Sequence, residues 1–69
     1  MYKRVFRKAD RTHRFLITSS KGAGWEVREE QDSQVILHVH YTDWHRVERA
    51  RTAFATQALN LQSLGWKES

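Results

Sequence analysis

The sequence contains no cysteine and no proline, and only three of its 69 residues are glycine. Without cysteine the chain forms no disulfide bond, and a zinc site built on thiolates is excluded. No run approaches the roughly 20 apolar residues that cross a membrane, so we expect no membrane partner. The N-terminus, Met1-Tyr2-Lys3-Arg4, leads into charged residues and lacks the apolar centre of a signal peptide, which predicts a cytoplasmic protein.

The short length limits the size of the hydrophobic core. We expect one small domain over residues 1–69, and a chain of this size buries only roughly 60% of its unfolded surface on folding. No disulfide compensates for the small core. The chain nevertheless contains three tryptophans, two tyrosines and three phenylalanines. Part of this apolar area is a candidate for burial against a second copy of the chain.

A long amphipathic helix is predicted over about residues 43–64. Thr42 is the expected N-cap, and Asp43 adds negative charge at the positive end of the helix dipole. Gly65 predicts a Schellman ending that returns Trp66 to Leu61. Apolar residues recur at steps of three and four and form one stripe: Trp44, Val47, Ala50, Phe54, Ala58, Leu61 and Leu64.

Four strands are predicted before the helix, over about residues 2–8, 13–19, 25–30 and 34–41, with short polar or glycine-containing connections. Residues 2–8 fit either an edge strand or a flexible arm. Short connections favour antiparallel pairing. We therefore expect an α+β fold in which a meander of three or four strands is covered on one face by the helix. The face expected under the helix carries Phe15, Ile17, Trp25, Val27, Val35, Leu37 and Val39.

Basic residues are concentrated near the N-terminus, where only Asp10 opposes them. Such residues can neutralise phosphates and bind nucleic acid. The alternative is that charge on an edge strand prevents aggregation, and the net charge of +4 is modest. The candidate nucleic-acid-binding residues also include one on the exposed sheet face and two at the start of the helix. The full set is Lys3, Arg4, Arg7, Lys8, Arg11, Arg14, Arg28, Arg46 and Arg49.

Three histidines are weak candidates for metal ligands. His38 and His40 alternate on one strand and therefore point to the same side, with His45 a few residues further on. Polar residues on a solvent-facing strand produce the same pattern without any metal. We expect no metal ion and no other cofactor.

Catalysis is not expected from this sequence. It has no cysteine nucleophile and no serine in a recognisable nucleophile motif. A chain of this length also has little room to enclose the roughly 300 Å³ that a small-molecule site usually occupies. We therefore expect a non-enzyme without a small-molecule substrate.

The order of antiparallel strands followed by one C-terminal helix is similar to small DNA-binding modules such as integrase arm-binding domains and WGR domains. The run from Ala53-Phe54 to Leu64-Gly65-Trp66 looks like the last helix of a WGR domain, although the Trp-Gly-Arg motif is missing. The first functional hypothesis is a nucleic-acid-binding accessory module that uses the basic first strand and the exposed sheet face. The alternative is a non-catalytic protein-interaction module that forms a homodimer, with either Leu16, Ile36 and Trp44 or the first strand at the contact.

Overall fold

A computed structural model describes residues 1–69 and contains five strands and one helix. The strands are β1 (Tyr2–Lys8), β2 (Arg11–Ser19), β3 (Trp25–Gln31), β4 (Gln34–Tyr41) and β5 (Lys67–Glu68), and the helix α1 (Trp44–Ser63) precedes β5. They form one antiparallel sheet in the order β4-β3-β2-β1-β5. The predicted α+β fold, a meander covered by a C-terminal helix, is confirmed.

The first strand is an integral part of the sheet. Every residue of β1 has a partner in β2, from Tyr2 opposite Ile17 to Lys8 opposite Arg11. On its other side β1 pairs with β5, which was not predicted because two residues are too few to show alternation. Residues 2–8 are therefore a paired strand and not a flexible arm, but they are not the edge strand that the sequence also allowed, because β5 lies outside them.

Local hydrogen bonds define where α1 begins and ends. Asp43, and not Thr42 as predicted, is the N-cap, because its side-chain oxygen accepts the N–H of His45 at 2.9 Å. At the other end Gly65 has a φ of +96°. The N–H of Trp66 donates to Leu61 O at 3.0 Å, and the N–H of Gly65 donates to Gln62 O at 3.1 Å. This is the Schellman motif that the sequence predicts.

The core lies between α1 and the strands β1, β2 and β3. Phe15 is fully buried and contacts the rings of Phe6 and Phe54. The Schellman turn carries Trp66 into the same cluster, next to His13. The buried apolar residues are Phe6, Phe15, Ile17, Val27, Val47, Phe54, Ala58 and Trp66.

The prediction that Val35 and Leu37 belong to the core is wrong. Their exposed fractions are 48% and 38%. No residue of β4 belongs to the buried core, because β4 is the edge strand of the sheet and the buried residues lie on β1, β2, β3, α1 and at Trp66. A register irregularity between Glu29 and Glu30 also pairs Val35 with Glu30. Since Glu30 contacts Arg28 on the face opposite the helix, the irregularity turns Val35 away from the core side.

Candidate nucleic-acid interface

The predicted basic residues are divided between the two faces of the sheet. Neighbouring residues of a strand point to opposite faces, whereas cross-strand partners share a face. Arg4 is paired with the buried Phe15 and therefore lies on the helix side. We call the other side the open face. It carries Lys3 and Arg7 from β1, Arg14 from β2 and Arg28 from β3.

Arg4 is committed to a contact that holds β5 in place. Its Nε and one of its terminal nitrogens donate to the two carboxylate oxygens of Glu68, at 2.9 and 2.7 Å. These hydrogen bonds raise the pKa of Arg4 and lower the pKa of Glu68. The Arg4 guanidinium also lies 5.1 Å from the ring centroid of Phe6. Its charge is thus neutralised within the chain.

Lys8 and Arg11 are engaged near the end of α1. The Nζ of Lys8 donates to Leu64 O at 2.6 Å, where it satisfies a carbonyl at the end of the helix. The Arg11 guanidinium lies 5.7 Å from the ring centroid of Trp66 and 3.5 Å from the Asp32 carboxylate. Both side chains therefore stabilise this end of the fold and lie away from the open face.

On the open face, Arg14 and Arg28 share one acidic partner. The Nε of Arg28 lies 2.9 Å from Glu30, and a terminal nitrogen of Arg14 lies 3.9 Å from the same carboxylate. Both arginines are about half exposed, whereas the Glu30 side chain is 15% exposed. Glu30 therefore neutralises part of this charge and fixes the two guanidinium groups beside each other.

The basic patch is formed by Lys3, Arg7 and Lys67. Arg7 is the direct cross-strand partner of Lys67, so two positive charges face each other across the β1–β5 ladder. Lys3 lies on the same face four residues away, or about 13 Å along the strand. None of the three side chains forms an ion pair. Lys67 was missed by sequence reasoning because its position depends on β5.

Arg46 and Arg49 are not part of the patch. Both are exposed on the first turns of α1, which covers the opposite side of the sheet. They flank a shallow depression with Tyr41 and Ala50. The structure therefore brings together only four of the nine predicted residues on the open face, and it adds Lys67 to them.

The candidate metal ligands converge only in part. His38 and His40 both face Glu26, with Nε2 atoms 2.7 and 3.7 Å from its carboxylate oxygens. The Nε2 of His40 also lies 2.9 Å from Ala23 O. His45 lies apart from them, on the first turn of α1. No group of three or more His, Cys, Asp or Glu side chains has a geometry that could hold a metal ion.

The one apolar pocket is small. It has a volume of about 100 Å³ and lies at the start of α1, between Tyr2, Trp25 and Trp44. The rings of Trp25 and Trp44 are 5.1 Å apart. This volume is below the roughly 300 Å³ at which small-molecule sites usually begin.

No helix in the structure combines the length and the apolar character that a membrane crossing requires. Compared with protein-family models, curated proteins and solved structures, the chain matches none of them.

Proposed function

We propose that the chain is a nucleic-acid-binding accessory module and that the open face of its sheet contacts the phosphate backbone. The observation that carries this proposal is the pairing of Arg7 with Lys67, with Lys3 on the same face and no acidic partner for any of them. Like charges directly opposite each other destabilise a sheet. A polyanion that binds across the pair relieves this repulsion.

Arg14 and Arg28 extend the contact surface inward from the basic patch. The row Lys3, Leu16 and Arg28 crosses three neighbouring strands on the open face. Backbone contacts of this kind give affinity and orientation without reading sequence. The open face would therefore recognise phosphate groups, and the affinity of the chain for nucleic acid should fall steeply as the salt concentration rises.

Fluorescence anisotropy with labelled single-stranded and double-stranded nucleic acids tests this proposal. The test variant combines Lys3→Gln, Arg7→Gln and Lys67→Gln. For double-stranded DNA, loss of three phosphate contacts should reduce the slope of log K against log salt by about 2.7. Circular dichroism shows whether the variant keeps its fold.

The matched control removes three exposed charges elsewhere, through Lys21→Gln, Arg46→Gln and Arg49→Gln. It has the same net charge as the test variant but leaves the open face intact, so it should keep most of the salt slope. Equal losses in both variants would assign binding to net charge alone. Absence of binding by the natural chain at low salt would end the proposal.

A second candidate function is that of a non-catalytic protein-interaction module, with a homodimer as its simplest form. The observation in its favour is the exposure of three consecutive apolar residues in β4: Val35, Ile36 and Leu37. The other suggested contacts do not join them. Leu16 lies in the middle of the open face, and Trp44 packs on Trp25 at the start of α1. Light scattering after size exclusion tests for self-association.

A further inference from the structure

The two edges of the sheet are protected to different degrees. One edge ends in β5, a strand of two charged residues. The other edge is β4, which has eight residues and no neighbour on its outer side. In an antiparallel strand alternate residues direct their N–H and C=O groups outward, so about four residues of β4 present unpaired backbone groups. A long strand with a free edge is a template for pairing with another chain.

The side chains of β4 carry none of the charges that commonly protect an edge strand from pairing. The segment from Gln34 to Tyr41 contains no Lys, Arg, Asp, Glu, Pro or Gly. Natural edge strands are commonly protected by charge, by proline, by a β-bulge or by a covering element. Of these, β4 has only the register irregularity next to Val35 and Ile36. The exposed fractions of Val35, Ile36 and Leu37 are 48%, 50% and 38%. The regular part of the edge, from Leu37 to Tyr41, therefore has no charge, proline or covering element, which is typical of a strand that can pair with another chain.

We propose that β4 pairs antiparallel with β4 of a second copy of the chain. This inference rests on the second candidate function and commits it to one partner. A two-fold axis brings a strand against itself, so every charged side chain near the axis meets an identical charge. Because β4 lacks Lys, Arg, Asp and Glu, it is compatible with this arrangement, whereas the edge that carries Lys67 would repel its own copy.

The symmetry determines the shape of the dimer. Antiparallel pairing of one edge with itself requires a two-fold axis perpendicular to the sheet, and this axis keeps each face on its own side. Both helices then cover one face of a ten-stranded sheet, and both open faces lie on the other. The basic patches are at the outer edges, opposite β4, so the dimer leaves them accessible.

The register irregularity limits where regular pairing occurs. It lies between Glu29 and Glu30, opposite the segment that contains Val35, Ile36 and Leu37. From Leu37 to Tyr41 the pairing with β3 is regular. The two-fold axis is therefore expected near the segment Leu37–Val39, with Val35 and Ile36 packing beside it. Eight residues span about 26 Å. Because the contact is only one strand wide, its area is smaller than the standard area of about 800 Å² per partner. A dimer that dissociates on dilution follows.

Light scattering over a range of concentrations tests the dimer. The monomer has a mass of 8.2 kDa, so the concentrated natural chain should approach twice that value and return to it on dilution. Val35→Lys with Ile36→Lys introduces charge at the proposed interface and should give a monomer at every concentration. The matched control, Leu59→Lys with Leu64→Lys, changes two exposed leucines of the helical region and should keep the dimer.

Cysteine crosslinking locates the interface independently, because the natural chain has no cysteine. Leu37→Cys, His38→Cys and Val39→Cys are made one at a time, and at least one of them should form a disulfide-linked dimer under mild oxidation. Lys67→Cys at the opposite edge should not. A dimer that survives Val35→Lys with Ile36→Lys overturns the β4 interface while self-association stands. A natural chain that stays monomeric when concentrated overturns both.

Discussion

His13 and Glu29 form a buried polar pair beneath the end of α1. Their Nε2 and Oε2 atoms are 2.7 Å apart, and each residue is only 8% exposed. The His13 ring also lies beside Phe15 and Trp66, with centroid distances of 4.7 and 6.2 Å. Two polar groups thus satisfy each other within an otherwise apolar core, so each depends on the other being present.

Removing one member of this pair should destabilise the fold more than removing both. In Glu29→Leu the histidine loses its buried partner, and the free energy of unfolding should fall by about 2–4 kcal/mol. In His13→Leu with Glu29→Leu no polar group is left unpaired, so part of that loss should be recovered. Urea denaturation of both single variants and the double variant measures the coupling energy. Additive losses would contradict a mutual dependence.

The strands and the helix could be predicted because their patterns are local. Alternation in Phe15 and Ile17 and the helical spacing of Val47 and Phe54 identify the faces that meet in the core. The pairing of His13 with Glu29 also had a local signal, since both residues share the core-facing parity of their strands. Parity alone does not predict the contact, because the strand pairing places His13 opposite Gln31 and Glu29 opposite Phe15.

The parts that could not be predicted depend on tertiary placement. Which strand α1 leaves uncovered is not encoded in the alternation of β4, and so Leu37 was assigned to the core. The binding surface has the same limitation. Arg4 and Arg7 are equivalent in a count of charges, yet β5 neutralises the first through Glu68 and adds Lys67 beside the second. Because β5 has only two residues, no periodic pattern in the sequence reveals it.

The contact between Arg4 and Glu68 predicts a change of stability in acid. Arg4 lowers the pKa of the Glu68 carboxyl in the folded chain. A carboxyl with a depressed pKa stabilises the fold above its unfolded pKa, and that contribution disappears as pH falls through the folded value. Glu68→Gln should therefore lower stability at neutral pH and lose its effect in strong acid.

The magnitude should be at most about 1 kcal/mol, because the pair is exposed to solvent. Urea denaturation of the natural chain and Glu68→Gln at several pH values measures it. A difference that persists at the acid end would point to a packing role for Glu68. An NMR titration provides the second readout, since Arg4→Gln should return the pKa of Glu68 towards its ordinary value.

The turn between β3 and β4 contains strain that a glycine should relieve. Asp32 and Ser33 have φ angles of +52° and +69°, a region that side-chain-bearing residues rarely adopt. Asp32 is held by the Thr12 backbone, whose N–H donates to Oδ1 at 2.9 Å. Ser33→Gly should raise the free energy of unfolding by about 0.5–1 kcal/mol. Ser33→Ala keeps the strain and should not raise the free energy of unfolding. Equal effects of the two variants would argue against this explanation.

Gly24 is predicted to be the least replaceable glycine, because it combines a positive φ with a close neighbour. Its φ is +86°, and an added Cβ would collide with the Tyr41 carbonyl oxygen and approach His40 Nε2 to 2.9 Å. Gly22 has a φ of +105° but open space around it, so it provides a control for the backbone cost alone. Gly22→Ala should cost about 1 kcal/mol and Gly24→Ala about 2–3 kcal/mol. Urea midpoints measure both changes, and equal losses would show that the end of β4 moves away from this loop without cost.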